Sequence, residues 1–260
     1  MFLEKIVNST RKRLLNKRAE MRFEEIKKMA LDMPRAYGYP FEEALMTDGV
    51  AFICEVKKAS PSKGIISHDF PYMQIANDYV KGGAAAISVL TEPEYFLGGD
   101  LYLREISGAS PIPTLRKDFI IDPYQIYEAK ILGASAILLI SEILDEATIR
   151  EYINIAHGLG LSALVECHDL DRMGKAISAG ARVIGVNNRN LETFDVDINT
   201  SINLRKSAPR ELIFVSESGI SNPDDIKRLR ENNVNAVLIG ETLMRSSDRV
   251  KTLETLRCAR

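Results

Sequence analysis

Glu55 and Lys57 stand two residues apart in the run FICEVKK (52–58). The run is apolar enough to be a strand, and strand periodicity sends both side chains to one face. Ionised groups are costly to bury unless they are paired, hydrated or used, so that face should open on water or a ligand. Similar polar residues follow other apolar runs: Lys117 in TLRKDF (114–119), Glu166 in LVECHD (164–169), and Asn187 with Arg189 in GVNNRN (185–190). Glu217 and Ser218 follow in VSESGI (215–220), and Gly240 with Glu241 in VLIGETLM (237–244). Acids, bases and an amide gathered together are the parts that proton transfer and oxyanion stabilisation need. The last two loops place Ser218, Gly219, Gly240 and Glu241 where backbone N–H groups can approach a phosphate.

Each residue also has a plainer reading. Arg116 and Lys117 could be solvated loop charges, and Glu166 half of a structural ion pair. Lys58 and Lys63 read as solvated loop charges, and His168 as a loop side chain past its strand. Cys54 and Cys167 have parity opposite to Glu55 and Glu166, which puts them against helices as small core residues. The argument for a site is that six strand exits carry such groups together.

The elements that position them follow from a repeat. After residue 48, helix-like stretches ending in glycine alternate with short apolar runs. Eight strands are expected, at 51–57, within 81–90, 112–117, 131–140, 161–166, 178–187, 212–217 and 232–240. Their spacing is that of βα units, and their near-continuous hydrophobicity suits strands covered on both faces. SNPDDIKRLRENN (221–233) has an Asn cap, Pro at the first helical position and two early aspartates, and 122–133 and 145–160 read as helices too. The expected fold is α/β: a single (β/α)8 TIM barrel over 48–260, with residues 1–47 as a helical N-terminal extension packed on it. A doubly wound open sheet is the structural alternative, although no GxGxxG motif follows any strand.

The bulk properties exclude several classes. A net charge of −2 gives no reason to expect nucleic acid or an anionic membrane as partner. No apolar run approaches the roughly 20 residues a membrane helix needs, and the N-terminus lacks a secretory core. Three cysteines without CxxC spacing and three histidines argue against disulfides and against a metal centre, and point to the cytoplasm.

EVKKASPSKG (55–64), VLTEPEYFLGG (89–99), LRKDFIID (115–122), LVECHD (164–169), IGVNNRNLETF (184–194), VSESGI (215–220) and VLIGETLM (237–244) together resemble the indole-3-glycerol-phosphate synthase family. The resemblance runs in order from the first strand to the end of the eighth. It implies closure of 1-(2-carboxyphenylamino)-1-deoxyribulose 5-phosphate to an indole, with loss of carbon dioxide and water, in tryptophan biosynthesis. It implies no metal and no organic cofactor, and leaves open any association with other enzymes of that pathway. Lys117 is then the general acid for ring closure, best served by neighbouring cations or desolvation that lower its pKa. Lys57 holds a substrate anion. Glu55 and Glu166 serve the dehydration, with the acid and base assignments open between them. Asn187 donates to a hydroxyl or oxyanion, and Glu217 and Ser218 complete the wall, Glu217 orienting Lys57 or Lys117. Arg189 reads anions together with Lys57, and Ser60, Gly219, Gly240 and the amide of Glu241 meet the phosphate. Position 241 departs from the serine often found there in the family, so its carboxylate is expected to point away from the phosphate. The 58–64 loop is expected to close over the substrate.

Two rival readings remain. Phosphoribosylanthranilate isomerase is a related barrel, but it would want Cys54 in the lumen and followed by Gly. A barrel without catalysis, serving as scaffold, should have lost some acid–base residues. The decisive geometric expectation is that Glu55, Lys57, Lys117 and Glu166 converge on one pocket.

Overall fold

The computed structural model describes residues 2–190 and 193–258; Leu191 and Glu192 of the IGVNNRNLETF stretch lie outside them. Eight parallel strands close into a barrel: β1 (Ala51–Val56), β2 (Ala86–Leu90), β3 (Thr114–Lys117), β4 (Ala136–Ile140), β5 (Ser162–Cys167), β6 (Val183–Asn187), β7 (Ile213–Glu217) and β8 (Ala236–Ile239). Each strand pairs with its sequence neighbours, and β8 returns to β1 through Ala51–Ala236 and Ile53–Leu238. All eight expected strands are present, and closure rules out the open sheet.

The three expected helices form at Pro123–Ile131, Glu146–Gly158 and Pro223–Glu231. Asn222 caps the last of these, accepting from Asp225 N at 3.0 Å while the Asp225 carboxylate accepts from Asn222 N.

Strand alternation divides the core in two. Ile53, Leu115, Leu138, Leu164, Val183, Val215 and Leu238 fill the barrel interior. Cys54, Val56, Ile137, Val165, Cys167, Ile184, Phe214 and Val237 point out against the helices. Phe41 and Leu45, from the helix Pro40–Leu45, join the interior cluster and plug its N-terminal end.

The N-terminal helix Phe2–Glu20 lies against the barrel through charge pairs. Arg13 Nη2 donates to Asp118 at 2.8 and 3.0 Å, Lys17 reaches Glu128 at 2.5 Å and Asp100 more closely, and Arg18 meets Asp122 at 2.7 Å. These partners follow or flank β3, so the helix is fixed beside Lys117. Leu3 and Ile6 reach the rim of the barrel mouth.

Candidate active site

Barrel strands tilt, so inward side chains stack in layers of four drawn from alternate strands. The register puts Ile53, Leu115, Leu164 and Val215 in one such layer. One step nearer the C-terminal ends, the same strands contribute Glu55, Lys117, Glu166 and Glu217. The apolar core therefore ends in a single charged layer. Strands β2, β4, β6 and β8 supply the rim above it through Leu90, Ile140, Asn187 and, just past β8, Gly240.

Within the layer, Lys117 Nζ lies 3.3 Å from Glu166 Oε2 and 3.5 Å from Glu217 Oε2. Asn187 Nδ2 donates to the other oxygen of Glu166 at 3.2 Å. Lys57 Nζ lies 2.5 Å from Glu55 Oε1. Two glycines make room for these carboxylates. A Cβ on Gly240 would stand 2.4 Å from Glu55 Oε1 and 3.1 Å from Lys57 Nζ, and one on Gly185 would stand 2.3 Å from Glu217 Oε1. Side chains at either position would displace a charged group.

The electrostatics correct one expectation. Burial pulls the Lys117 ammonium down, but Glu166, Glu217 and Glu55 outweigh it and hold its pKa above the usual lysine range. Its neighbours are carboxylates where cations were anticipated. Burial pushes Glu166 up, yet Lys117, His168 and the Asn187 hydrogen bond prevail and keep it below the usual carboxylate range. Glu217 is pushed up to about 8: burial and repulsion from Glu166 and Glu55 overcome the pull of Lys117. Its Oε1 is buried with no hydrogen-bond partner. One layer thus holds a cation, an ionised carboxylate and a carboxyl that keeps its proton at neutral pH.

All twelve residues singled out in the sequence line one cavity of about 390 Å³: Glu55, Lys57, Ser60, Lys117, Glu166, Asn187, Arg189, Glu217, Ser218, Gly219, Gly240 and Glu241. Ser218 and Gly219 both adopt left-handed backbone, with φ of 69° and 79°. Asn188 holds this turn, donating to Ser216 Oγ and Ser218 O at 3.0 Å each. Arg189 N donates to Asn187 Oδ1 at 3.0 Å, so the two neighbours orient each other.

One plain reading is overturned and others hold. Arg116 is fully buried, on the opposite face of β3 from Lys117, and is not a solvated charge. Lys63 is an exposed loop charge, as expected, with Glu241 Oε1 3.5 Å away. His168 is a loop side chain past its strand, as expected, and is mostly buried there, its Nδ1 2.8 Å from Glu142 Oε1 and its Nε2 3.9 Å from Glu166 Oε1. The Glu241 carboxylate, expected to point away from the phosphate, has three cations around it. It faces Arg245 at 3.1 Å, Lys63 at 3.5 Å and Arg189 at 3.8 Å. Cys54 packs in the sheet–helix core, where burial drives its thiol pKa up, so it is unavailable to isomerase chemistry.

The apolar wall was missed. Phe96 and Phe119, 6.0 Å apart between ring centroids, line the pocket with Leu90, Ile140 and Ile6. Strand parity could have found Leu90 and Ile140. No local signal marks Ile6, or Phe96, whose loop is tied down by Glu92: its carboxylate accepts from the backbone N–H groups of Glu94, Tyr95 and Phe96 at 3.1, 2.7 and 3.0 Å.

Comparison with known proteins identifies the family. The family model described as indole-3-glycerol phosphate synthase matches residues 3–256. A protein of that name from Ruminiclostridium cellulolyticum is 54% identical over 257 residues, covering 99% of both chains. Another from Lachnoclostridium phytofermentans is 50% identical over 268 residues, again covering 99% of both. Among solved structures, the 3-hexulose-6-phosphate synthase of Salmonella typhimurium superposes with a TM-score of 0.66 at 18% identity, over 80% of this chain and 96% of that one, a likeness of fold. A match along nearly the whole chain, with relatives at half identity and the family's motifs gathered in one pocket, places this protein in the indole-3-glycerol phosphate synthase family.

Proposed function

We propose that the chain converts 1-(2-carboxyphenylamino)-1-deoxyribulose 5-phosphate to indole-3-glycerol phosphate, releasing carbon dioxide and water, as a decarboxylating lyase of tryptophan biosynthesis. The observation that carries this reading is the convergence of all twelve expected residues on one cavity whose opposite wall is aromatic and aliphatic. The substrate is amphiphilic in the same sense, with an aromatic ring at one end and a phosphate at the other.

The phosphate sits between the loops after β7 and β8, against the backbone at Gly219, Gly240 and Glu241, with Ser60 and Arg189 beside it. Lys57 takes the substrate carboxylate or phosphate, steadied by Glu55. The phenyl ring lies against Phe96, Phe119 and Ile140, which excludes water around the reacting carbons.

Ring closure puts negative charge on the ketose oxygen, and Lys117 protonates it. A raised pKa does not hinder this step, because an alkoxide is far more basic than an ammonium. Glu166 and Glu217 hold that ammonium in the centre of the pocket. Loss of carbon dioxide restores the aromatic ring. The hydroxyl that then departs is the same oxygen, still beside Lys117 and Glu166; Glu166, ionised at rest, takes up a proton and passes it to that hydroxyl. Glu55, across the layer on β1, is placed to take the ring proton. Asn187 fixes the Glu166 carboxylate and can donate to the hydroxyl.

Incubating the protein with the carboxyphenylamino deoxyribulose phosphate and following indole fluorescence tests the reading. Formation of indoleglycerol phosphate is expected; no product across pH 5–9 would end it.

A further inference from the structure

The proposed reaction does not balance in protons within the pocket. The former ketone oxygen gains two protons and leaves as water, and the ring carbon gives back one. The carboxylate departs as neutral carbon dioxide and returns none. Each turnover therefore draws one proton from solvent, which must reach Glu166 or Lys117.

A route is present in residues to which the reaction has so far given no role. His168 follows β5 two residues after Glu166, and its ring lies between two carboxylates. Nδ1 is 2.8 Å from Glu142 Oε1, on the segment after β4. Nε2 is buried without a hydrogen-bond partner among the described residues and faces Glu166 Oε1 at 3.9 Å. Glu142 is held in turn by Arg172 Nε at 3.3 Å, and Arg172 Nη1 donates to Ser141 O at 2.9 Å. Arg172 is part-exposed and stays charged; it fixes Glu142, and Glu142 fixes the ring so that Nε2 faces Glu166 across the pocket. An unsatisfied ring nitrogen aimed at a reacting carboxylate costs stability that simple packing would avoid.

We propose that His168, oriented by Glu142, acts through Glu166 as the residue that supplies this solvent proton. Through one bridging water, or once the 3.9 Å gap closes to hydrogen-bond distance, the Nε2 proton passes to Glu166, leaving the neutral tautomer with Nδ1–H still donating to Glu142. Water returns a proton to Nε2 when the pocket empties. The inference rests on the lyase reading above. The charged groups around the ring suit it: burial disfavours the imidazolium, but Glu142 from the β4 loop, Glu166 from β5 and Glu217 from β7 raise its pKa, while Arg172 bears on Glu142 and Lys117 lies beyond Glu166.

The test compares the wild type with His168→Gln, which retains an N–H for Glu142 but cannot carry a proton, with His168→Ala, and with Glu142→Gln. Wild-type turnover reports on the lyase reading; the variant-to-wild-type ratio reports on the relay. The relay requires kcat to fall on the order of 10- to 100-fold in His168→Gln with KM unchanged. Added imidazole should restore His168→Ala in proportion to the imidazolium present, so that rescue fades as pH rises. Glu142→Gln should lower kcat less and shift the alkaline fall in kcat to lower pH. A His168→Gln protein with kcat within twofold of wild type overturns the relay. So does a loss in well-folded His168→Ala, checked by thermal unfolding, that imidazole restores at no pH. An inactive wild type overturns the lyase reading and the relay with it.

Discussion

Strand β3 carries two cations side by side, and its two faces treat them oppositely. Arg116 points outward into a set of partners that uses all of its nitrogens. Nη2 lies 2.7 Å from Glu128, 3.2 Å from Asp100 and 3.4 Å from Asp118, Nη1 donates to Gln125 O at 2.9 Å, and Nε donates to Thr91 Oγ1 at 3.2 Å. Asp118 is likewise saturated by Arg13, Thr91 and its neighbour Phe119 N, and the two arginines hold it down at about 2 despite burial. Lys117 points inward to longer, looser contacts with two carboxyl groups, one of which, Glu217, keeps a spare oxygen. Saturation marks a charge used to hold the structure; spare bonding capacity beside a cavity marks one kept for a ligand.

Four substitutions test that contrast. The largest effect should come from Lys117→Ala, which should lower kcat/KM by about 10³-fold or more while leaving thermal unfolding near the wild-type value. If unfolding moves as much as activity, the inner face is structural after all. Arg116→Met should do the reverse, costing about 3 kcal/mol or more of stability because it strands Glu128 and Asp118 without their shared cation. Denaturant titration measures that cost, and fully folded Arg116→Met should bind substrate with an ordinary KM.

Glu217→Gln addresses the spare oxygen directly. A carboxyl whose pKa is raised on folding contributes stability that is present at low pH and lost as pH climbs through the folded value of about 8. Wild-type unfolding should therefore drift downward from pH 5 to pH 8, and the glutamine variant should flatten that drift; an unchanged slope would assign it to another group. The smallest effect belongs to the pocket mouth. Glu241→Ser removes a part-exposed carboxylate that shares Lys63 and Arg189 with an incoming phosphate. Exposed pairs of this kind are worth only ~0.2–1 kcal/mol, so KM should fall by no more than about fivefold.

Much of this was legible from residue order alone, and the reason is geometric. A barrel strand has two faces with a fixed period, so Glu55 and Lys57 could be assigned to the lumen and Cys54 to the helices without knowing any neighbour. Parity also contained the charged layer, since Glu55, Lys117, Glu166 and Glu217 are each two residues beyond an apolar lumen residue. What order could not supply was partnership across distance. Arg116 reads as a solvated charge until Glu128 and Asp100 are beside it, and Asp118 needs Arg13, 105 positions away. The pKa of Lys117 was misjudged for the same cause: the sign of its neighbours depends on which strands meet around the barrel. Ile6 reaches the pocket because charge pairs further along its helix dock that helix beside β3, a fact written nowhere in the residues around it.

The hydrocarbon plug formed by Phe41 and Leu45 turns the barrel into a flask with a single neck. Beneath the ionised residues lies a dielectric floor that no counter-ion can penetrate, so salt screens them only from above. The substrate enters by that neck and, once seated, stops it. The cargo is thus the cork, and it strengthens the field that acts on it by shutting out the water that weakened that field.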